Sequence, residues 1–233
     1  MRFPSLQTLT VAVPLVPLLA GGFPSESSAQ GVAWSGQAEV FFGRYSPDGK
    51  RAGVMAAGGS EGRVEMAPSL MFGGRLFFPV AGAPSRQLGQ VSLGVRGLVV
   101  PGADLEIPGA SGGIGTANHY EFLGTVSVGD FLAGGDSGIN LRLNGLLGAG
   151  VGHTSYNLDP GVGWTEGDDS HTGLVLSAGV GGDLLLAPWL SLVAHTSWSW
   201  GIGNPDHGSV AERSFTAMGG LALRWPFRGG PNQ

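Results

Sequence analysis

His195 and Ser197 stand two positions apart in the chain, with Glu212 downstream. Residues i and i+2 of a β-strand share one face. The His195 imidazole could therefore take the proton of the Ser197 hydroxyl while a carboxylate such as Glu212 orients the ring, which is the arrangement of a serine hydrolase. A second group is acidic: Asp159, Glu166, Asp168 and Asp169, with His171 close by. Their spacing does not follow the calcium-loop pattern, and adjacent Asp168 and Asp169 point to opposite sides of any regular element. We read this stretch as a solvated acidic loop, and expect neither a metal centre nor a cofactor. The chain has no cysteine, which excludes disulfides, thiolate metal sites and cysteine nucleophiles. Gly179, Gly181 and Gly182 lie inside an extended segment instead of between strand and helix, so they do not form a phosphate cradle.

The elements that must position these groups are strands. At Trp34, Gly36, Ala38, Val40 and Phe42 every second residue is apolar or small, and Ser35, Gln37 and Glu39 lie between them. Ile139, Leu141, Leu143, Gly145, Leu147, Ala149 and Val151 repeat the pattern around Asn140, Arg142 and Asn144. Each such segment has one oily face and one polar face. Only 12% of residues are charged, against about 25% in an ordinary soluble domain. That is too little charge to cover a soluble surface, so the polar face turns inward and the oily face meets lipid. Eight segments alternate, at 32–45, 63–78, 87–100, 118–131, 138–152, 171–186, 189–202 and 213–227. Long polar stretches follow the odd strands (46–62, 101–117, 153–170, 203–212), and short ones follow the even strands (79–86, 132–137, 187–188). The expected fold is all-β: an eight-stranded antiparallel up-and-down transmembrane β-barrel with both termini periplasmic. Pro68 interrupts the second segment and predicts a bulge or a late ladder start there.

Parity then sorts the charges. Glu39, Glu65, Glu121 and Asp183 point inward, as do Arg75, Arg96, Arg142 and Arg224. Charges buried in a narrow lumen must be paired to offset desolvation, so these eight are expected to form a network that fills the lumen. Arg44 and Asp130 have outward parity but lie at strand ends. Trp34, Phe78, Trp225 and Phe227 are expected at the periplasmic rim, and Phe42, Tyr45, Tyr120, Trp198 and Trp200 near the outer one, as interfacial belts. His195 and Ser197 have the inward parity of the charges.

The remaining organisation follows from the ends of the chain. Arg2, the apolar run from Thr8 with Pro14 and Pro17, and small residues at Ser27 and Ala29 read as a signal peptide over 1–29. The barrel would then occupy 30–228 and a short tail 229–233. A net charge of −5 without a Lys/Arg cluster argues against nucleic-acid binding.

With these features the chain resembles the eight-stranded outer-membrane barrels typified by the OmpA transmembrane domain and OmpX. Leu221, Leu223, Trp225 and Phe227 look like the aromatic-ended assembly signal of those proteins, although RGGPNQ follows Phe227 here. The resemblance implies an outer-membrane protein, monomeric, whose partners are outer-membrane lipid, lipopolysaccharide and the barrel-assembly machinery. It implies a side-chain-filled polar lumen and activity in the outer loops, as adhesion, partner binding or envelope integrity. A narrow channel for small solutes is the alternative use of such a barrel. His195, Ser197 and the turn from Asn204 to Gly208 also resemble the motif of the lipid A 3-O-deacylases, which would make His195, Ser197 and Glu212 catalytic. Trp198 stands where that family has Asn, and the inward parity of the pair departs from the lipid-facing site of those enzymes. The expectation is a protein that is not an enzyme.

Overall fold

The computed structural model describes residues 36–48, 53–55, 61–81, 90–109, 112–133, 140–165, 169–187, 189–202 and 213–225. The expected leader at 1–29, the tail at 229–233, and Trp34, Glu166, Asp168, Glu212 and Phe227 lie outside them. Eight long strands make the wall: β1 (Gly36–Asp48), β5 (Ser69–Ala81), β6 (Gln90–Glu106), β7 (Gly113–Ala133), β8 (Asn140–Leu158), β10 (Ser170–Ala187), β11 (Leu190–Ile202) and β12 (Arg213–Trp225). Each pairs antiparallel with its neighbour in sequence order. The ring closes where β1 meets β12, Gly36 opposite Trp225 and Asp48 opposite Arg213. Each of the eight wall strands is thus paired on both sides, which is what a sheet in lipid requires.

The alternation in the chain becomes inside and outside. Val40, Phe42, Leu70, Phe122, Leu147 and Leu174 are exposed on the outer wall, Val40 at 67%. Between them Glu39, Arg75, Glu121 and Arg142 are buried. Bulky inward side chains are accommodated by glycines directly opposite. At Gly43, Gly94, Gly150 and Gly220 a Cβ would run into the backbone of the adjoining strand. Phe41 packs across from Gly220, and Leu123 across from Gly150. The phenyl ring of Phe41 takes the space that a side chain at Gly73 would need.

The end of the barrel remote from the chain termini, here the far end, differs from the expected loops. β6 runs on to Glu106, β7 begins at Gly113 and β8 reaches Leu158, so most of 101–117 and the start of 153–170 are strand. Pro101 and Gly102 conceal this, because the register shifts between Val100 and Ala103 and Gly102 turns to a φ of 57°. Two short strands, β2 (Gly53–Met55) and β3 (Glu61–Arg63), join β9 (Gly163–Trp164) in a separate three-stranded sheet. The long connections are therefore partly ordered.

Pro68 also relocates two residues. A further short strand, β4 (Glu65–Met66), pairs with Leu105 and Glu106 of β6. The ladder then breaks over Ala67 and Pro68, and Ala67 N–H donates to Asp104 C=O at 2.8 Å. Proline has no N–H for the ladder, and the irregular pair reverses parity across the break. Val64 and Met66 consequently point inward, while Leu70 and Phe72 point out. Glu65 was expected in the lumen and Met66 on the lipid face. Glu65 instead lies half-buried between the two inward residues and belongs to no ion pair among the described residues. Tyr45, expected in the outer belt, is buried within the barrel, 5.0 Å ring to ring from His119. Its neighbour Arg44 takes the outward position.

Candidate functional site

The chemistry-bearing residues of the chain meet inside the barrel, in two linked groups. Glu39 of β1 and Arg75 of β5 are register partners. Arg75 donates to the Glu39 carboxylate from Nε at 2.9 Å and from Nη2 at 2.5 Å, with its guanidinium carbon 4.4 Å from the centre of the Phe77 ring. Gln37 donates to the other Glu39 oxygen at 2.8 Å and accepts from Arg224 Nε at 3.2 Å. Arg224 Nη2 lies 3.6 Å from Asp183, which also accepts from Asn144 at 3.4 Å. Arg142 is buried, and Asp183 is its register partner on β10. Gly129 leaves Arg142 its space, since a Cβ there would meet the guanidinium.

The second group lies closer to the far end. Arg96 of β6 stands directly across from Arg75, and like charges in that position repel unless each has its own counterion. Arg96 turns to Glu121, donating from Nη2 at 2.9 Å, and reaches Ser197 Oγ from Nη1 at 3.1 Å. Glu121 also faces His119 Nε2 at 3.2 Å, and His119 Nδ1 meets Thr154 Oγ1 at 2.7 Å. Beyond this group the interior is mainly apolar, with Ser199 and Ser214 as buried polar residues on its β11–β12 side. Phe41, Tyr45, Met71, Leu98, Leu105 and Met218 belong to one buried cluster, with Tyr156 and Trp164 packed against it. The lumen is thus polar through its middle and toward the termini, and is closed by hydrocarbon at the far end. A polar filling along the whole lumen was expected. The apolar seal depends on the inward turn of Val64 and Met66 and on the strand extensions that bring Ala103, Leu105 and Ile114 over the mouth.

His195 and Ser197 share the inward face, 2% and 1% exposed, but have different partners. Arg75 Nη2 lies 2.6 Å from His195 Nε2. The same Nη2 lies 3.3 Å from Nδ1, and Nε2 is 3.5 Å from the Glu39 carboxylate, so Arg75 and Glu39 together hold the ring. Gly181, across from His195, gives the ring its room. Ser197 Oγ is bonded to Thr216 Oγ1 at 2.6 Å and to Arg96. No bond joins His195 to Ser197 among the described residues. His195 is held by Arg75 and Glu39, and Ser197 by Arg96 and Thr216. Glu39, Asp183 and His195 bring potential ligand atoms within 4.8 Å of one another. The cation among them is Arg75.

Of the remaining sequence candidates, Phe42, Phe78, Tyr120, Trp198 and Trp200 are exposed on the outer wall. Trp225 is half-buried, edge-on to Phe78 at 6.3 Å. Asp169 accepts from Trp164 Nε1 at 3.0 Å, and Tyr156 meets Trp164 edge-on at 5.2 Å, which ties the far-end sheet to the barrel. His119, Gln37, Ser177 and Thr216 join the interior network without having been singled out in the sequence. Parity placed His119 inward once Tyr120 and Phe122 were read as outward. Nothing in the sequence indicated which inward polar residues would bond.

No protein-family model matches the chain, and no curated protein sequence matches it. Among solved structures, the outer-membrane protein OprG of Pseudomonas aeruginosa aligns at a TM-score of 0.50 and 11% identity, covering 83% of this chain and 96% of that one. Neisserial surface protein A aligns at 0.43 and 14% identity over 82% and 97% of the two chains. Ail, the attachment invasion locus protein of Yersinia pestis, aligns at 0.39 and 14% over 82% and 99%. At such identities the likeness concerns fold alone: the chain has the closed eight-stranded antiparallel fold of small outer-membrane barrels.

Proposed function

We propose that the protein is a closed barrel of the bacterial outer membrane that acts through its far-end surface, in partner binding, adhesion or envelope integrity. One observation carries the reading: the interior is blocked at successive levels, by the Arg224–Gln37–Glu39–Arg75 chain, the Arg96–Glu121–His119 group, and the apolar cluster around Phe41 and Leu98. The cavity next to Arg224 and Asp183 measures about 40 Å³, room for a few waters at most. A barrel so filled offers no solute path. The side chains of His195 and Ser197 are buried on the inward face, which argues against a lipid hydrolase.

The ordered far end supports the same reading. Strands that outrun the hydrocarbon zone and a small sheet anchored by Trp164 form a defined surface, suited to recognition. Replacing residues 50–62 with a short Gly-Ser turn removes β2 and β3 and leaves the eight wall strands intact. On intact cells this variant should keep the heat-shifted electrophoretic mobility of a folded barrel and lose adhesion or partner capture. Unchanged surface behaviour would count against the proposal.

A further inference from the structure

The outer wall is not evenly covered. Five strands contribute to a shallow, mostly apolar concavity of about 790 Å³, within the size range of ligand sites. Its floor follows one continuous row of register partners: Val128 on β7, Gly145 on β8, Val180 on β10, Thr196 on β11 and Ala217 on β12. The row ends on β1 at Arg44, the partner of Ala217. On β10, β11 and β12 the next outward row toward Gly36 and Trp225 is also small, with Gly182, Ala194 and Gly219 in register between Leu143 on β8 and Phe42 on β1. Trp198 and Phe215, ring to ring at 5.2 Å, are register partners two positions along β11 and β12 from Thr196 and Ala217, toward the far end.

At Gly145 and Gly219 packing of the barrel does not demand a small residue, whereas a Cβ at Gly182 would press on Leu143 at 3.2 Å. A Cβ at Gly145 or Gly219 would meet only one backbone oxygen, at 3.9 and 3.7 Å, which are ordinary contacts. The inward glycines, such as Gly150 and Gly220, would collide with backbone. The inward set closes the wall, whereas the outward set leaves it hollow.

Arg44 supplies the second observation. It is exposed on the lipid-facing side and has no ion pair or hydrogen bond among the described residues. None of the side chains lining the trough is acidic. An outward arginine at the rim of the hydrocarbon zone seeks an anion. An apolar trough leading away from it suits the chain attached to that anion. From Val128 to Arg44 the row crosses five strand spacings, roughly 24 Å, the scale of a long extended acyl chain. A second copy of this protein fits less well. A two-fold contact would bring the same patch of both subunits together, with Arg44 of each and no acid in the trough to neutralise them.

We propose that this wall binds an anionic lipid, its phosphate held by Arg44 and an acyl chain lying along the Ala217–Val128 row. The inference rests on the wall facing lipid. The test uses the full chain in nanodiscs of equal parts phosphatidylglycerol and phosphatidylcholine, with retained lipids identified by native mass spectrometry. The wild type should retain phosphatidylglycerol selectively, and Arg44→Gln should reduce that selectivity about fivefold. Gly145→Leu, whose Cβ would make only an ordinary contact with the Val128 carbonyl at 3.9 Å, puts bulk into the trough and should reduce retention of both lipids. Arg213→Gln, at a position across from Asp48, should change neither. Heat-shifted mobility checks that each variant is folded. Unselective retention by the wild type, or retention indifferent to both Arg44→Gln and Gly145→Leu, would overturn the proposal. Dimers that disappear in Gly145→Leu would overturn it in favour of self-association. A wild-type chain that stays outside the nanodisc would overturn the membrane reading beneath it as well.

Discussion

Arg75→Met isolates the energetics of the filled lumen. The substitution keeps an unbranched apolar stem of similar length but removes two charge-assisted bonds to Glu39, at 2.9 and 2.5 Å, and the 2.6 Å contact to His195. Glu39 is 3% exposed and borders a cavity of only about 40 Å³, so little water can replace the guanidinium. Gln37 would still donate to it, and His195 Nε2, 3.5 Å from the same carboxylate, is the neighbouring group able to take up part of the lost role. Removing one partner of a buried pair costs ~3–5 kcal/mol, chiefly through the uncompensated charge that remains. Making Glu39→Gln in the same chain removes that charge, and the double variant should recover to within ~1–2 kcal/mol of the wild type, since neutral replacement of a buried pair is often tolerated. Guanidinium unfolding in detergent micelles, followed by tryptophan fluorescence, gives the four corners of the cycle. A loss below ~1 kcal/mol for Arg75→Met, the range of exposed pairs, would refute the reasoning. So would strictly additive single substitutions, because the pair would then not be coupled in the folded barrel.

Further outcomes follow from the packing. Leu98→Ala, at a residue 1% exposed in the far-end cluster, should cost ~2–5 kcal/mol in the same unfolding assay. Gly220→Ala places a Cβ against the Val40 carbonyl and should prevent the heat-shifted mobility of the closed barrel, while Gly145→Ala should fold like the wild type. Phe122→Arg, on the exposed lipid face, should cost ~2–4 kcal/mol if the residue lies near the bilayer midplane, seen as a lowered guanidinium midpoint.

Strand number and sidedness were legible in the chain because period-two alternation is a local property and lipid penalises any error in it. The eight wall strands appear near their expected places, and Glu39, Arg75, Arg96, Glu121, Arg142 and Asp183 are buried as parity requires. Parity fails where the ladder does. One irregular pair at Ala67–Pro68 moved Glu65 out of the lumen and Met66 into it, and the shift at Val100–Ala103 hid the extension of β6. Which inward groups bond was not legible, because Arg96 reaches Glu121 along a diagonal and not across its register position. The hydrolase motif shows the same limit. Spacing put His195 and Ser197 on one face, but Arg75, 120 positions away in sequence, holds the imidazole.

The central claim is that the barrel is closed. Planar-bilayer recording of the full-length protein at high salt tests it most directly. A wild type whose lumen is blocked by the Glu39–Arg75 and Arg96–Glu121 pairs and the apolar cluster should show no reproducible open level. A steady ohmic level, reproducible between insertions and abolished or resized by Arg142→Ala, would contradict it.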